Sequence, residues 1–101
     1  MLTDYALDLL RRHMKSRIAY ATYRVGGRDY KTGIQTREIL TDGSVAATFV
    51  IGGQEEEHDT VTRVELYDYN DKPLARKDEH IVLKDAQEGV LYHFRFAINE
   101  Q

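Results

Sequence analysis

The spacing of apolar residues at the N-terminus predicts an amphipathic helix. Between residues 2 and 14 they recur at intervals of three and four, which places them on one stripe of a helix. The stripe consists of Leu2, Tyr5, Ala6, Leu9, Leu10 and Met14. Thr3 is a suitable N-cap, and Arg11, Arg12 and Lys15 suit the negative end of the helix dipole. We therefore expect a helix over about residues 3–15, with its stripe packed against the core.

From residue 17 onward the apolar period shortens from about 3.6 to about 2, which predicts β-strands. The expected extended segments are 17–25, 30–40, 45–51, 60–68, 74–84 and 90–99. Asp42-Gly43 predicts a hairpin turn, and Pro73 is expected in a turn rather than inside a strand. The last segment alternates most regularly, as in a strand with one buried face. Its apolar side carries Val90, Tyr92, Phe94, Phe96 and Ile98.

These elements predict an α+β fold that is mainly β and forms a single domain over residues 1–101, with the β-rich region over 17–99. The N-terminal helix is expected to pack on an antiparallel β-sheet, or on a small β-sandwich, of about six to seven strands. The length of 101 residues and the 42% hydrophobic content fit one independently folding core.

Composition narrows the range of functions. With no cysteine, the chain has no disulfides, thiolate metal ligands or cysteine nucleophiles. A formal net charge of −3 argues against nucleic acid and anionic membranes as partners. No apolar run approaches the roughly 20 residues that a membrane helix needs, and the N-terminus does not resemble a signal peptide. We expect a protein of the cytoplasm.

The polar residues give no catalytic or metal-binding pattern. None of the four histidines, at positions 13, 58, 80 and 93, has a second ligand at helical spacing. The acidic run Glu55–Asp59 lacks the alternation of a calcium loop and is interpreted as a solvated connection. We expect no cofactor and no metal, and no enzyme activity. Scattered carboxylates that the fold brings together as an acid and a base remain the alternative.

Tyrosine is the enriched aromatic residue, with seven copies against three phenylalanines. Its ring buries area while its hydroxyl stays hydrated, which suits both core rims and protein interfaces. We select Tyr23, on the opposite strand face from Ile18 and Tyr20, and Tyr69, at a turn, as candidate interface residues. The cations near the helix end are explained by the helix dipole rather than by nucleic-acid binding.

The C-terminal 40 residues or so resemble a pattern in small bacteriophage and prophage tail proteins, of the tail-fibre type or from the baseplate region. The resemblance is carried by Val61–Asp68, a turn through Asn70–Lys72, and Pro73–Lys77. It continues through Lys84 to the alternating strand Val90–Ile98. The chain lacks a long shaft and the glycine that usually precedes the leucine of the pattern, which favours an accessory or structural component over a receptor-binding fibre.

The resemblance implies a phage- or prophage-derived structural or assembly protein that acts through protein–protein contacts, with copies of itself or other tail components as its partners. It also implies a location in the host bacterial cytoplasm during assembly, or in the virion. Because the helix stripe is expected to cover the sheet, binding is expected on the sheet surface and loops. The alternative is a small-ligand-binding or catalytic α+β domain with a pocket between helix and sheet.

Overall fold

A computed structural model describes residues 1–53, 60–83 and 89–98. Its elements are α1 (Asp4–Arg17), β1 (Tyr20–Val25), β2 (Arg28–Ile39), β3 (Val45–Ile51), β4 (Thr60–Tyr67), β5 (Pro73–Val82) and β6 (Val90–Phe96). The predicted mainly β, α+β class is confirmed. Three predicted features lie outside the described residues: the acidic connection at 55–59 and the strand ends at residues 84 and 99.

The described strands form one antiparallel sheet in the order β5-β4-β1-β2-β3-β6. Strand β2 belongs to both halves of this sheet: its first half pairs with β1 and its second half with β3. The register shifts between Ile34 and Thr36, which leaves Gln35 as the extra residue of a β-bulge. A bulge bends and twists its strand, so the two halves of the sheet turn toward each other.

This bend brings the two edge strands together. The Lys77 Nζ atom of β5 lies 4.7 Å from the centroid of the Phe94 ring of β6. The result is a nearly closed sheet, in which the inner faces of the two halves cover each other. The fully buried residues on this face include Ala21, Tyr23, Val45, Ala47, Phe49, Ile51, Val61, Val64, Leu66 and Phe94.

In β3, Val45, Ala47, Phe49 and Ile51 share one face and are all fully buried, and Ala46 and Thr48 of the other face are buried as well. The alternation predicted for β6 is confirmed only in its second half: Phe94 is buried, whereas Val90 is exposed. The predicted turn at Asp42-Gly43 joins β2 to β3. Its glycine has a φ of +88°, in the left-handed region that favours glycine.

Helix α1 begins where the sequence predicts, because the Thr3 hydroxyl accepts a hydrogen bond of 3.1 Å from the Ala6 backbone N–H. It ends at Arg17, two residues later than predicted. The predicted burial of its apolar stripe is wrong, since no residue of α1 is buried. The physical reason is the curl of the sheet: the strands fill their own interior, and α1 lies outside it, against β2 and β3.

The end of the helix is fastened to the sheet by Arg37 of β2. Its Nε donates a hydrogen bond of 2.8 Å to the Ile18 carbonyl, and its guanidinium reaches the Ala19 carbonyl at 3.4 Å. Ile18 is the C-cap of α1 and is fully buried. A helix end leaves carbonyl groups without helical partners, and here a cation supplies the donors and complements the dipole.

We expect Arg37→Met to reduce the free energy of unfolding by about 1–3 kcal/mol, because the Ile18 carbonyl loses its charged donor. Urea denaturation followed by circular dichroism measures the change. Arg95→Met is the matched control. The Arg95 side chain is 62% exposed and forms a longer ion pair of 3.8 Å with Asp42. Arg95→Met should reduce the free energy of unfolding by less than about 0.5 kcal/mol. Equal losses of stability in the two variants would contradict the anchoring role of Arg37.

Candidate interaction surface

Helix α1 and the residue before its cap carry several exposed apolar side chains. We define the exposed helix face as Leu2, Tyr5, Leu9 and Leu10, whose exposed fractions are 45%, 69%, 44% and 46%. Leu7 and Met14, on the side of the helix away from Leu9, are only partly exposed. Clusters of exposed apolar residues on soluble proteins commonly mark binding surfaces.

One signal in the sequence could have revealed this face. At about 100° per residue, Leu7 and Leu9 point to opposite sides of a helix, roughly 200° apart. A helix with leucines on both sides has more apolar surface than one contact with a sheet can cover. The stripe that periodicity selects includes the exposed Leu9 as well as the half-buried Met14, and it leaves out Leu7, which is also half-buried.

The charged residues of α1 follow a definite order. Asp4, Asp8, Arg12 and Lys15 are spaced by four, four and three residues, which places them along one flank of the helix, between the side that meets the sheet and the exposed helix face. The Asp8 carboxylate and the Arg12 guanidinium form an ion pair of 3.0 Å, with both side chains about half exposed. The flank is thus acidic in the first half of the helix and basic in the second half.

The two tyrosines selected from the sequence have different environments. Tyr23 lies inside the sheet with 1% of its surface exposed, and its ring stacks on Tyr30 at a centroid distance of 5.5 Å. It is therefore not available to a partner in this fold. Strand parity with Ile18 misassigns Tyr23, because Ile18 precedes β1 and its burial does not indicate which face of the strand is inside. Tyr69 is 61% exposed beneath the Arg17 guanidinium, at 5.4 Å.

The outer face of β1 and β4 carries aromatic rings whose faces contact other side chains. The Tyr20 ring stacks on Tyr67 at a centroid distance of 5.1 Å, and the Lys31 Nζ lies 4.1 Å from the Tyr20 centroid. The Tyr20 hydroxyl donates to Asp71 at 2.9 Å, and this hydrogen bond to a carboxylate raises the pKa of Tyr20. A base or sugar ring would have to displace one of these groups in order to stack on Tyr20.

Charged residues on the same outer face form a continuous network. Asp29 lies 3.3 Å from Arg24 and 3.7 Å from Arg63, measured between nitrogen and oxygen atoms. Glu65, whose side chain is 5% exposed, contacts Arg63 at 3.2 Å and Arg76 at 3.3 Å. Because carboxylates separate these arginines, the face lacks the unbalanced positive charge that phosphate binding requires.

The seam between the two edge strands contains polar side chains that point into the sheet. Lys77 is paired in register with the buried Val64, so Lys77 and Glu79 both lie on the inner face of β5. The Glu79 carboxylate accepts a hydrogen bond from the Tyr92 hydroxyl. Burial, followed by the charge of Glu79, raises the pKa of Tyr92 to about 12.

This shift predicts a loss of stability at high pH. A tyrosine titrates near 10 when unfolded, so the contribution of neutral Tyr92 is complete below pH 10 and is lost as the pH rises to about 12. Because the ring is partly solvated, we expect the wild type to lose only about 1 kcal/mol more than Tyr92→Phe between pH 8 and pH 11.

Urea denaturation at the two pH values measures this difference. Tyr69→Phe, which removes an exposed hydroxyl, is the matched control and should retain the pH dependence of the wild type. Identical pH dependence in the wild type and Tyr92→Phe would contradict the role assigned to the seam.

The described residues offer little for metal binding. They contain no group of three His, Cys, Asp or Glu side chains placed to hold a metal ion. His13, His80 and His93 are exposed, and His58 lies outside the described residues. Within the same residues, α1 is too short and too polar to cross a membrane. Comparisons of the chain with protein-family models, curated proteins and solved structures found no match.

Proposed function

We propose that the chain is a structural or assembly protein that works by contacts with other protein chains, in the first place with copies of itself. The observation that carries the proposal is the exposed helix face. Tyr5, Leu9 and Leu10 remain between 44% and 69% exposed although the sheet has a well-filled interior. Removing such residues from water stabilises an association by roughly 25 cal/mol per Å² of apolar area.

The surroundings of this face favour a protein partner. An anionic membrane or a nucleic acid would meet Asp4 and Asp8 on the flank as well as its cations. A second protein surface can place charges of both signs opposite this flank. The outer face of β1 and β4, by contrast, has its charges and rings engaged within the chain. The helix is therefore preferred to the sheet surface as the place of contact.

We propose that this assembly takes place in a phage or prophage tail. Its support is the sequence pattern over Val61–Asp68 and Pro73–Lys77, segments that include β4 and the first half of β5. The test is genomic: tail or baseplate genes beside the gene for this chain are expected. Neighbours that are unrelated to phage in several genomes would contradict the setting and leave the self-association untouched.

We expect the purified chain to associate reversibly, with a dissociation constant on the order of 100 μM, as befits a small interface. Sedimentation velocity between about 10 μM and 1 mM should show a rising mean mass. Replacing Leu9 by glutamine should weaken the association about tenfold, because its apolar side chain no longer leaves water.

Leu91→Gln is the matched control, because Leu91 of β6 is a leucine of similar exposure, 48%, away from the helix. It should associate like the wild type. A wild-type mass of one chain at the highest concentration would contradict the proposed function. Equal weakening by Leu9→Gln and Leu91→Gln would move the contact away from the helix.

A further inference from the structure

We infer that helix α1 opens away from the sheet about a hinge at Ile18 while the strands stay paired, and that Arg11 keeps the contact between helix and sheet weak. The inference concerns a conformational step built into the fold and does not depend on the proposed self-association. It is carried by the position of Arg11 between helix and sheet, together with the anchoring of the chain directly after the helix.

Arg11 lies on the side of α1 that meets the sheet. Its guanidinium packs against the turn between β2 and β3, since a Cβ atom at Gly43 would lie 2.9 Å from the Arg11 Cζ atom. Leu7 and Met14, within about 60° of Arg11 around the helix, are half-buried apolar residues on the same side. A charged side chain therefore occupies the middle of this contact, between two apolar ones.

The buried part of the Arg11 side chain is not satisfied. The Nε atom is buried, and it has no hydrogen-bond partner within the described residues. Burying a donor without an acceptor is unfavourable, and more so on a charged group. The expected benefit from the helix dipole is small, because Arg11 precedes the end of α1 at Arg17 by more than one turn. Arg11 thus weakens the contact that Leu7 and Met14 provide.

The rest of the contact is also slight. None of the 14 residues of α1 is buried, and among the described elements α1 contacts mainly β2 and β3. A helix of this length is only marginally stable in water without tertiary contacts. We therefore expect α1 to lose its helical structure when it leaves the sheet. The strands keep their pairing, because their backbone ladders do not include the helix.

The chain is held firmly directly after the helix. Ile18 is fully buried and its carbonyl accepts a hydrogen bond from Arg37, and the Ala19 N–H donates to the Tyr67 carbonyl at 2.8 Å. Opening should therefore stop at Ile18, which acts as the hinge. In the open state the side of α1 that met the sheet also becomes accessible. A partner that binds this side shifts the chain toward the open state.

Hydrogen–deuterium exchange followed by mass spectrometry tests the opening. At about 5 μM the chain is far below the expected dissociation constant, so self-association does not protect the helix. Where closing is faster than chemical exchange, the exchange rate reports the open fraction. Peptides from residues 4–17 should then be at least about 100-fold less protected than peptides from β1 and β3.

Urea distinguishes local opening from global unfolding. It should reduce the protection of the strands more steeply than that of α1, because opening the helix exposes little surface. Equal protection and equal urea dependence in the helix and the strands would mean that α1 opens only when the whole domain unfolds. That result would overturn the inference.

Arg11→Met tests the role of the arginine. Methionine has a similar helix propensity and keeps an apolar stem, but it buries no donor. The variant should protect α1 against exchange about tenfold more strongly than the wild type. The ratio between helix and strand protection should stay as in the wild type, because the open state does not contain the contact.

Arg12→Met is the matched control, since the Arg12 side chain is 54% exposed and forms an ion pair with Asp8 on the helix surface. It should lower the protection of α1 by no more than about twofold. Unchanged or lowered protection in Arg11→Met would overturn the role of Arg11. An equal gain in both variants would also overturn it, because the gain would then follow from lost charge and not from the buried donor. Sedimentation measures the proposed self-association separately, so these outcomes leave it untouched.

Discussion

The fold depends on the bend in β2. One strand of 12 residues pairs with β1 over its first half and with β3 over its second half, and the extra residue Gln35 marks the change. Because this bend turns the two halves of the sheet toward each other, the inner face is buried by strands alone. Tyr23 and Phe49, from different halves, are both almost completely buried in this interior. The helix is left with no core position to fill, and its exposure follows from that.

The side chains of the seam also protect the edges of the sheet. Strands β5 and β6 are the edge strands, and in the described residues no backbone ladder joins them, so their outer backbone groups could pair with another chain. Lys77 and Glu79 point inward from β5, and burying charge in a continued sheet would be costly, so these residues oppose edge-to-edge pairing. Lys77 lies over the Phe94 ring and Glu79 accepts from Tyr92, so each has a partner within the chain. These inward-pointing charges disfavour association through the edge of β5.

The sequence was sufficient to locate the helix and the strands, but it was not sufficient to predict which of their faces other elements cover. The spacing of apolar residues located β3, and residue types located the Asp42-Gly43 turn and the Thr3 cap. Each of these features depends on residues that are close together in the sequence. Burial of a helix face depends instead on which surface the distant strands leave open. Periodicity could therefore identify the stripe containing Leu9 but not its solvent exposure. Tyr23 shows the same limit, since its face was inferred from Ile18, which lies before the strand begins.

The charge order of α1 is accounted for by the helix itself. The helix dipole favours an acidic residue such as Asp4 in the first turn and cations such as Lys15 in the last. The same order arises in any helix that complements its dipole in this way, so charge order alone does not select a self-associating helix. What distinguishes α1 is that the domain leaves Tyr5 and Leu9 uncovered, at 69% and 44% exposure. Apolar exposure, rather than charge, is therefore the feature of this helix that favours a binding surface.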